Sequence, residues 1–212
     1  MNKLILPAFR TFLIGVIALG VLLFLPAWTL NYWQAWAFIV VFMTSVIVIG
    51  VYLSLKDPAL LERRMKVGPT KETTPAQKII MSIAILSSLG VLVFCGFDHR
   101  FGWSPVSPVV SLVGDVLVAL GLLINLLVMR ENSFAGATVE TVGGQKVIPT
   151  GPYALIRHPM YFGVLVMVAG IPLALGSWWG LAVLAFTVPG ADVENPRRGE
   201  APEERFTGLH GI

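Results

Sequence analysis

The chain has 212 residues, 56% of them hydrophobic and 13% charged, with a formal charge of +3 and a mean hydropathy of +0.79. That balance excludes an ordinary soluble domain and points to an integral membrane protein. The single cysteine excludes an intrachain disulfide and a cysteine metal cluster. The three histidines stand far apart, which argues against a metal site, and the basic residues lie between apolar segments, a pattern of membrane orientation rather than nucleic-acid binding.

The first apolar segment covers about residues 12–28, behind Lys3 and Arg10. No small-residue cleavage site comes after it and a second apolar segment begins almost at once, so it is expected to remain as a helix rather than act as a secretory signal. A short uncharged turn at 29–33 leads to a second span at about 35–55, with Trp28, Tyr32, Trp33 and Trp36 as an interfacial aromatic belt. Two spans joined this tightly predict an antiparallel helical hairpin. Residues 56–78 form the most charged loop. Within it D-P-A-L-L-E-R-R-M, with Asp57 ahead of Pro58, predicts a short surface helix on the cytoplasmic side.

A third span is expected at about 79–97, closed by a turn at Asp98, His99 and Arg100 and by Pro105 and Pro108. The fourth, at about 109–129, holds Asp115 and Asn125. Polar residues inside a span face other helices or a cavity. Asp115 sits near one end, which favours a structural role, whereas Asn125 stays open between structure and function. Basic residues gather at the N-terminus, in the 56–78 loop and in the 130–157 loop, while the two intervening turns carry one Arg between them. The N-terminus and the long polar loops are therefore expected to be cytoplasmic.

Residues 150–161 read T-G-P-Y-A-L-I-R-H-P-M-Y, where Arg, His, two Tyr, two Pro and a Gly crowd together between apolar segments. Gly151-Pro152 breaks the segment before it, and Pro159 disfavours helical geometry at His158 while suiting a first helical position itself. A helix is expected to begin near Pro159 with His158 at its cap. Free N–H groups at such a start suit an anionic group. The plainer alternative is an interface loop, with Arg157 and His158 at lipid headgroups and Tyr153 and Tyr161 as interfacial aromatics. Beyond Tyr161, apolar pieces at 162–175 and 181–188 flank G-S-W-W-G, each shorter than the ~20 residues that cross alone. Pro172 should bend the first. A short hairpin and a tilted pair of helices both fit.

Three blocks resemble the isoprenylcysteine carboxyl methyltransferase family, within the wider group of integral-membrane methyltransferases that includes phospholipid methyltransferases. They are E-N-S-F-A-G-A-T-V-E at 131–140, Q-K-V-I-P-T-G-P-Y-A-L-I-R-H-P-M-Y-F-G at 145–163 and G-S-W-W-G at 176–180. The resemblance covers about the second half of the chain. It implies an all-α integral-membrane bundle of about five to six membrane helices, with a cytoplasmic-face pocket for S-adenosyl-L-methionine. Transferred by position, it implies a cofactor site of Gln145, Lys146, Val147, Ile148, Tyr153, His158, Pro159, Met160 and Tyr161, with Glu140 as an earlier polar candidate. Arg157 and His158 are the implied catalytic pair. Arg157 has two roles open to it, pairing a substrate carboxylate or anchoring to lipid phosphate.

The implied reaction is methyl transfer to the carboxylate of an isoprenylated cysteine or a similar lipophilic acid. Such a carboxylate is already ionised at neutral pH and needs positioning and removal of water rather than a general base. The expected partners are the bilayer and a lipophilic small-molecule or prenylated substrate, with no nucleic acid. An acceptor that is a phospholipid amine or a thiol is the first alternative. A non-catalytic transporter subunit or scaffold is the second.

The chain divides by composition into a helical membrane domain at 1–189, with 131–163 as its cofactor motif region, and a polar tail at 190–212. The family pattern continues with an acidic pair and P-G-Y, but this tail is rich in Pro, Gly and charge, which predicts disorder. Permitted codons for the tail, read one nucleotide forward, give A-L-M-W-R-I-L-D-E-E-K-L-L-R-S-D-L-P-G-Y-T-E, so a frameshift after Pro189 is the expectation. A chain without the family's acidic pair is expected to be impaired.

Overall fold

The computed structural model describes residues 2–65, 75–133 and 150–187. These form seven α-helices: α1 (Asn2–Ala27), α2 (Trp33–Lys56), α3 (Pro58–Met65), α4 (Pro75–Phe101), α5 (Pro108–Glu131), α6 (Pro159–Ala174) and α7 (Trp178–Thr187). A single 3-10 turn at Gly151–Ala154 precedes α6. Among the described residues there is no strand, only one isolated bridge between Pro105 and Ser177. Among the described residues four helices are long and apolar enough to span a membrane, namely Phe9–Ala27, Trp33–Lys56, Met81–Phe101 and Pro108–Glu131. The 16 residues of α6 rise about 24 Å, short of the roughly 30 Å of a bilayer core. After a turn at 175–177, α7 continues. The protein is an all-α integral-membrane bundle.

The tightest seam joins α5 to α6, which run antiparallel. Gly114 and Gly121 on α5 meet Gly170 and Gly163 on α6. A Cβ added at Gly114 would stand 2.1 Å from the Ala174 nitrogen, and one at Gly121 would stand 2.5 Å from the Gly163 oxygen. In a membrane, where lipid is as apolar as leucine, helices gain by bringing backbones this close. Beside the seam, Asn125 is buried and its Nδ2 donates to the Gly121 carbonyl at 3.0 Å.

Tyr32 corrects the expected aromatic belt. Trp28, Trp33 and Trp36 are exposed, but Tyr32 is fully buried. Its ring stacks on His99 with centroids 3.8 Å apart, and its hydroxyl donates to the Leu175 carbonyl at 2.6 Å. A tyrosine that finds both a ring partner and an acceptor has no need of the interface.

Asp98, His99 and Arg100 are likewise not a turn but the last turn of α4. The Asp98 carboxylate is buried and accepts from the Ser104 amide at 2.8 Å and from the hydroxyls of Ser104 and Ser177. Those hydroxyls in turn accept from Trp179 N at 3.1 Å and Gly180 N at 2.8 Å, so two serines cap α7. The Asp98 charge is tolerable at a helix C-terminus because the free amides of α7 face it through the serines.

The predicted surface helix, α3, is held to the bundle. Asp57 Oδ1 accepts from Leu60 N at 3.0 Å, capping the helix start. Leu60 is fully buried in a small cluster with Leu53 and Met129. That cluster, the end of α5 and the start of α6 all belong to one end of the bundle; the Tyr32–Asp98 network belongs to the other.

Candidate active site

The site is built where α5 ends and α6 begins. Asn132 caps the C-terminus of α5, its N–H returning to the Val128 carbonyl. Its side-chain Nδ2 donates to the Tyr153 hydroxyl at 3.0 Å. One residue earlier, Glu131 Oε2 accepts from the Thr150 hydroxyl at 3.2 Å. Gly151 has φ +60 and lies so close to Glu131 that a Cβ there would meet its Cγ at 2.6 Å. Only glycine combines that backbone with that proximity. Two side-chain bonds thus clasp Thr150 and Tyr153 to the end of α5. From the other side, Arg63 Nη2 of α3 donates to the Ser133 carbonyl at 3.0 Å, and burial lowers the pKa of the neighbouring Arg64.

The 3-10 turn ends with the Ile156 amide on the Pro152 carbonyl at 3.1 Å. The chain then passes exposed Arg157 and His158 and starts α6 at Pro159, as the position of proline demands. His158 is the N-cap residue, at φ −130 and ψ 67, and makes no side-chain capping bond. The first backbone bond after it runs from Phe162 N to the His158 carbonyl at 3.2 Å. The amides of Met160 and Tyr161 lie ahead of that bond, so the start of α6 offers donors to an anionic or polar group. The His158 and Tyr161 rings stand 5.9 Å apart and tilted by 59°, with Tyr161 exposed. Pro159 is buried, Met160 half-buried, and Tyr153 half-buried with its hydroxyl held by Asn132.

Of the residues expected from the sequence, Tyr153, Arg157, His158, Pro159, Met160 and Tyr161 therefore stand on one continuous turn at one end of the bundle. Glu140, Gln145, Lys146, Val147 and Ile148 lie outside the described residues, as does the 190–212 tail. Sequence reasoning alone misses Glu131, Asn132 and Thr150 as parts of the site. Their signal is E-N-S at a helix end, where a short polar side chain beyond the last turn is placed to bond the backbone or side chains nearby. Among the described residues no group of three His, Cys, Asp or Glu side chains comes together as a metal site.

The residues present fit a sulfonium cofactor that carries a carboxylate and an aromatic base: uncapped amides and His158 for its polar parts, Tyr153 and Tyr161 for ring or cation–π contact. Residues 109–189 match the family model described as phospholipid methyltransferase. The match takes in α5, the clasp, the His158 turn, α6 and the described part of α7, and it stops where the composition of the chain changes. No curated protein and no solved structure gives a significant match. Over residues 109–189 the chain is similar to the phospholipid methyltransferase family of integral-membrane methyltransferases, relatives of the isoprenylcysteine carboxyl methyltransferases.

Proposed function

We propose that the protein transfers a methyl group from S-adenosyl-L-methionine to a lipophilic acceptor, with the α5–α6 end of the bundle on the cytoplasmic face. The observation that carries this reading is the uncapped start of α6 at His158–Pro159, which follows in the chain a Tyr153 that Asn132 holds to the end of α5. S-adenosyl-L-methionine supplies a methyl group on a sulfonium, ready for in-line displacement. The chain's own work is to bind and to orient. The amides of Met160 and Tyr161 and the His158 ring take the cofactor's carboxylate and hydroxyl groups, and the tyrosine rings take its flat or cationic parts. Bilayer on one side and the site on the other let an acceptor leave its tail in lipid while its head reaches the turn.

The preferred acceptor is the carboxylate of an isoprenylated cysteine or a similar lipophilic acid. It is ionised at neutral pH, so positioning and removal of water suffice, and Arg157 is exposed on the same turn to pair with it. A phospholipid amine is the second reading, favoured by the description of the matched family. An amine must lose a proton first, and His158 is the described side chain on this turn that can take one.

The test is transfer of labelled methyl from S-adenosyl-L-methionine to a prenylcysteine analogue and, in parallel, to phosphatidylethanolamine, using this chain and a version whose ending has the frame-shifted sequence. Methyl on the prenylcysteine carboxylate, stronger with the restored ending, is the expected result. Transfer to the amine lipid alone selects the second reading. Absence of cofactor binding to both versions by calorimetric titration overturns both.

A further inference from the structure

Three consecutive residues at the end of α5 are each held by a different residue from elsewhere in the chain. Glu131 accepts from the Thr150 hydroxyl at 3.2 Å, Asn132 donates to the Tyr153 hydroxyl at 3.0 Å, and the Ser133 carbonyl accepts from Arg63 Nη2 at 3.0 Å. The first two bonds lead to the site turn. The third leads away from it, to α3. With eight residues, α3 is too short to be stable alone in water, and two contacts fasten it to α5. Leu60 is fully buried in one cluster with Leu53 of α2 and Met129 of α5. Arg63, one turn further along the same face of α3, reaches Ser133, four positions beyond Met129. The two helices therefore meet in register, through an apolar contact first and a polar one at the tip. The guanidinium is itself fixed, because its Nε donates back to the Ala59 carbonyl at 3.3 Å while Nη2 reaches Ser133. A planar fork anchored at one nitrogen places the next one more firmly than a flexible ammonium could. Its charge also lies at the carbonyl end of α5, the favourable side of the helix dipole. An arginine that served only as a lipid anchor would direct these N–H groups to phosphates; here two of them go to backbone carbonyls.

We infer that Arg63 is a positioning residue for the methyl-transfer site: through Ser133 it fixes the corner from which Asn132 holds Tyr153, and with it the turn that leads to His158. The effect on cofactor binding rests on the methyl-transfer reading; the hold on the turn does not, and is measured separately. Arg63 acts through the backbone of Ser133 and the side chain of Asn132, not by touching cofactor or acceptor. Without its donor the Ser133 carbonyl is left to water and the corner is free to rotate. Asn132 then meets Tyr153 for only part of the time, and the cofactor must order the turn as it binds, which weakens its affinity.

The experiment uses the full chain in dodecylmaltoside, with its own ending and with the restored one. Three variants are compared with it: Arg63→Met, which keeps the stem and removes the donors, Arg63→Lys, which keeps a cationic donor, and Lys56→Gln, a charge-loss control at the exposed end of α2. Calorimetric titration gives the affinity for S-adenosyl-L-methionine. Hydrogen exchange of the Leu155 and Ile156 amides, which bond to the Pro152 carbonyl, reports the order of the turn by mass spectrometry. Thermal unfolding followed by circular dichroism checks the fold. Arg63→Met should weaken cofactor binding about three- to tenfold, the span for one partly exposed charge-assisted bond, and speed exchange at 155–156 without a matching fall in midpoint. Arg63→Lys should recover part of both losses, and Lys56→Gln should show neither. Unchanged exchange in Arg63→Met overturns the inference, and so does faster exchange with undiminished affinity. If neither ending binds the cofactor, faster exchange in Arg63→Met keeps the hold on the turn and refutes the methyl-transfer reading, whereas unchanged exchange refutes both.

Discussion

Adding one methyl group to the α5–α6 seam tests whether that seam holds the bundle and the site together. In Gly121→Ala the new Cβ would lie 2.5 Å from the Gly163 oxygen and 2.5 Å from the Met167 nitrogen. Ordinary contact begins at 3.4 Å, so the two helices must part by about 0.9 Å, a gap that forfeits a quarter to a half of the dispersion well along the seam. Both obstacles are backbone atoms, with no flexible tip to yield. Overpacking of this kind costs about 1–3 kcal/mol. Alanine's better helix propensity returns up to about 1 kcal/mol, and a control removes that part: Gly50→Ala on α2 meets nothing within 4 Å. The difference between the two variants isolates the seam and should be about 1–3 kcal/mol, with Gly121→Ala the less stable. Equilibrium unfolding in mixed micelles of dodecylmaltoside and dodecyl sulfate, followed by circular dichroism, reads it directly. Equal stabilities, within about 0.5 kcal/mol, would mean that α5 and α6 do not meet through these glycines.

Asn132→Ala and Tyr153→Phe should each weaken cofactor binding, and a double-mutant cycle on cofactor affinity should give a coupling of about 0.5–1.5 kcal/mol; two independent effects would dissolve the clasp. His158→Ala should weaken S-adenosyl-L-methionine binding by roughly tenfold, about 1.4 kcal/mol, in calorimetric titration, with unfolding unchanged because His158 makes no capping bond. At the opposite end, Ser177→Ala should cost about 1–2 kcal/mol of stability for the lost cap. Asp98→Ala should cost more, about 2–4 kcal/mol, since it strands the hydrogens of two serines and one amide. Tyr32→Phe should cost about 1–2 kcal/mol by leaving the Leu175 carbonyl buried without its donor, measured in the same micelle titration.

The helices could be read because their signals are local. Apolar runs of sufficient length located α1, α2, α4 and α5, and Pro58 and Pro159 fixed two helix starts to the residue. The His158 turn was legible for the same reason: Gly151, Pro152 and Pro159 shape it whatever surrounds them. Tyr32 and Asp98 were misplaced because their partners are remote. Tyr32 and Leu175 are 143 positions apart and Asp98 and Ser177 are 79 apart; a polar residue at the edge of an apolar run reads as an interface residue until its partner is known. The clasp falls between these cases. Asn132 and Tyr153 are 21 positions apart, and nothing in either one's immediate neighbours names the other.

The Asp98 network also has a consequence for biogenesis. A chain emerging from the ribosome delivers Asp98 and Ser104 together, but the carboxylate gains its third ligand only when Ser177 arrives. Until then the Asp98 carboxylate has two of its three donors, and the α4–α5 hairpin presents a socket rather than a finished surface. The arrival of Ser177 satisfies Asp98 and launches α7 in one event. Docking of α7 therefore depends on a correctly threaded predecessor: a hairpin with the wrong end of α4 exposed would offer α7 no seat.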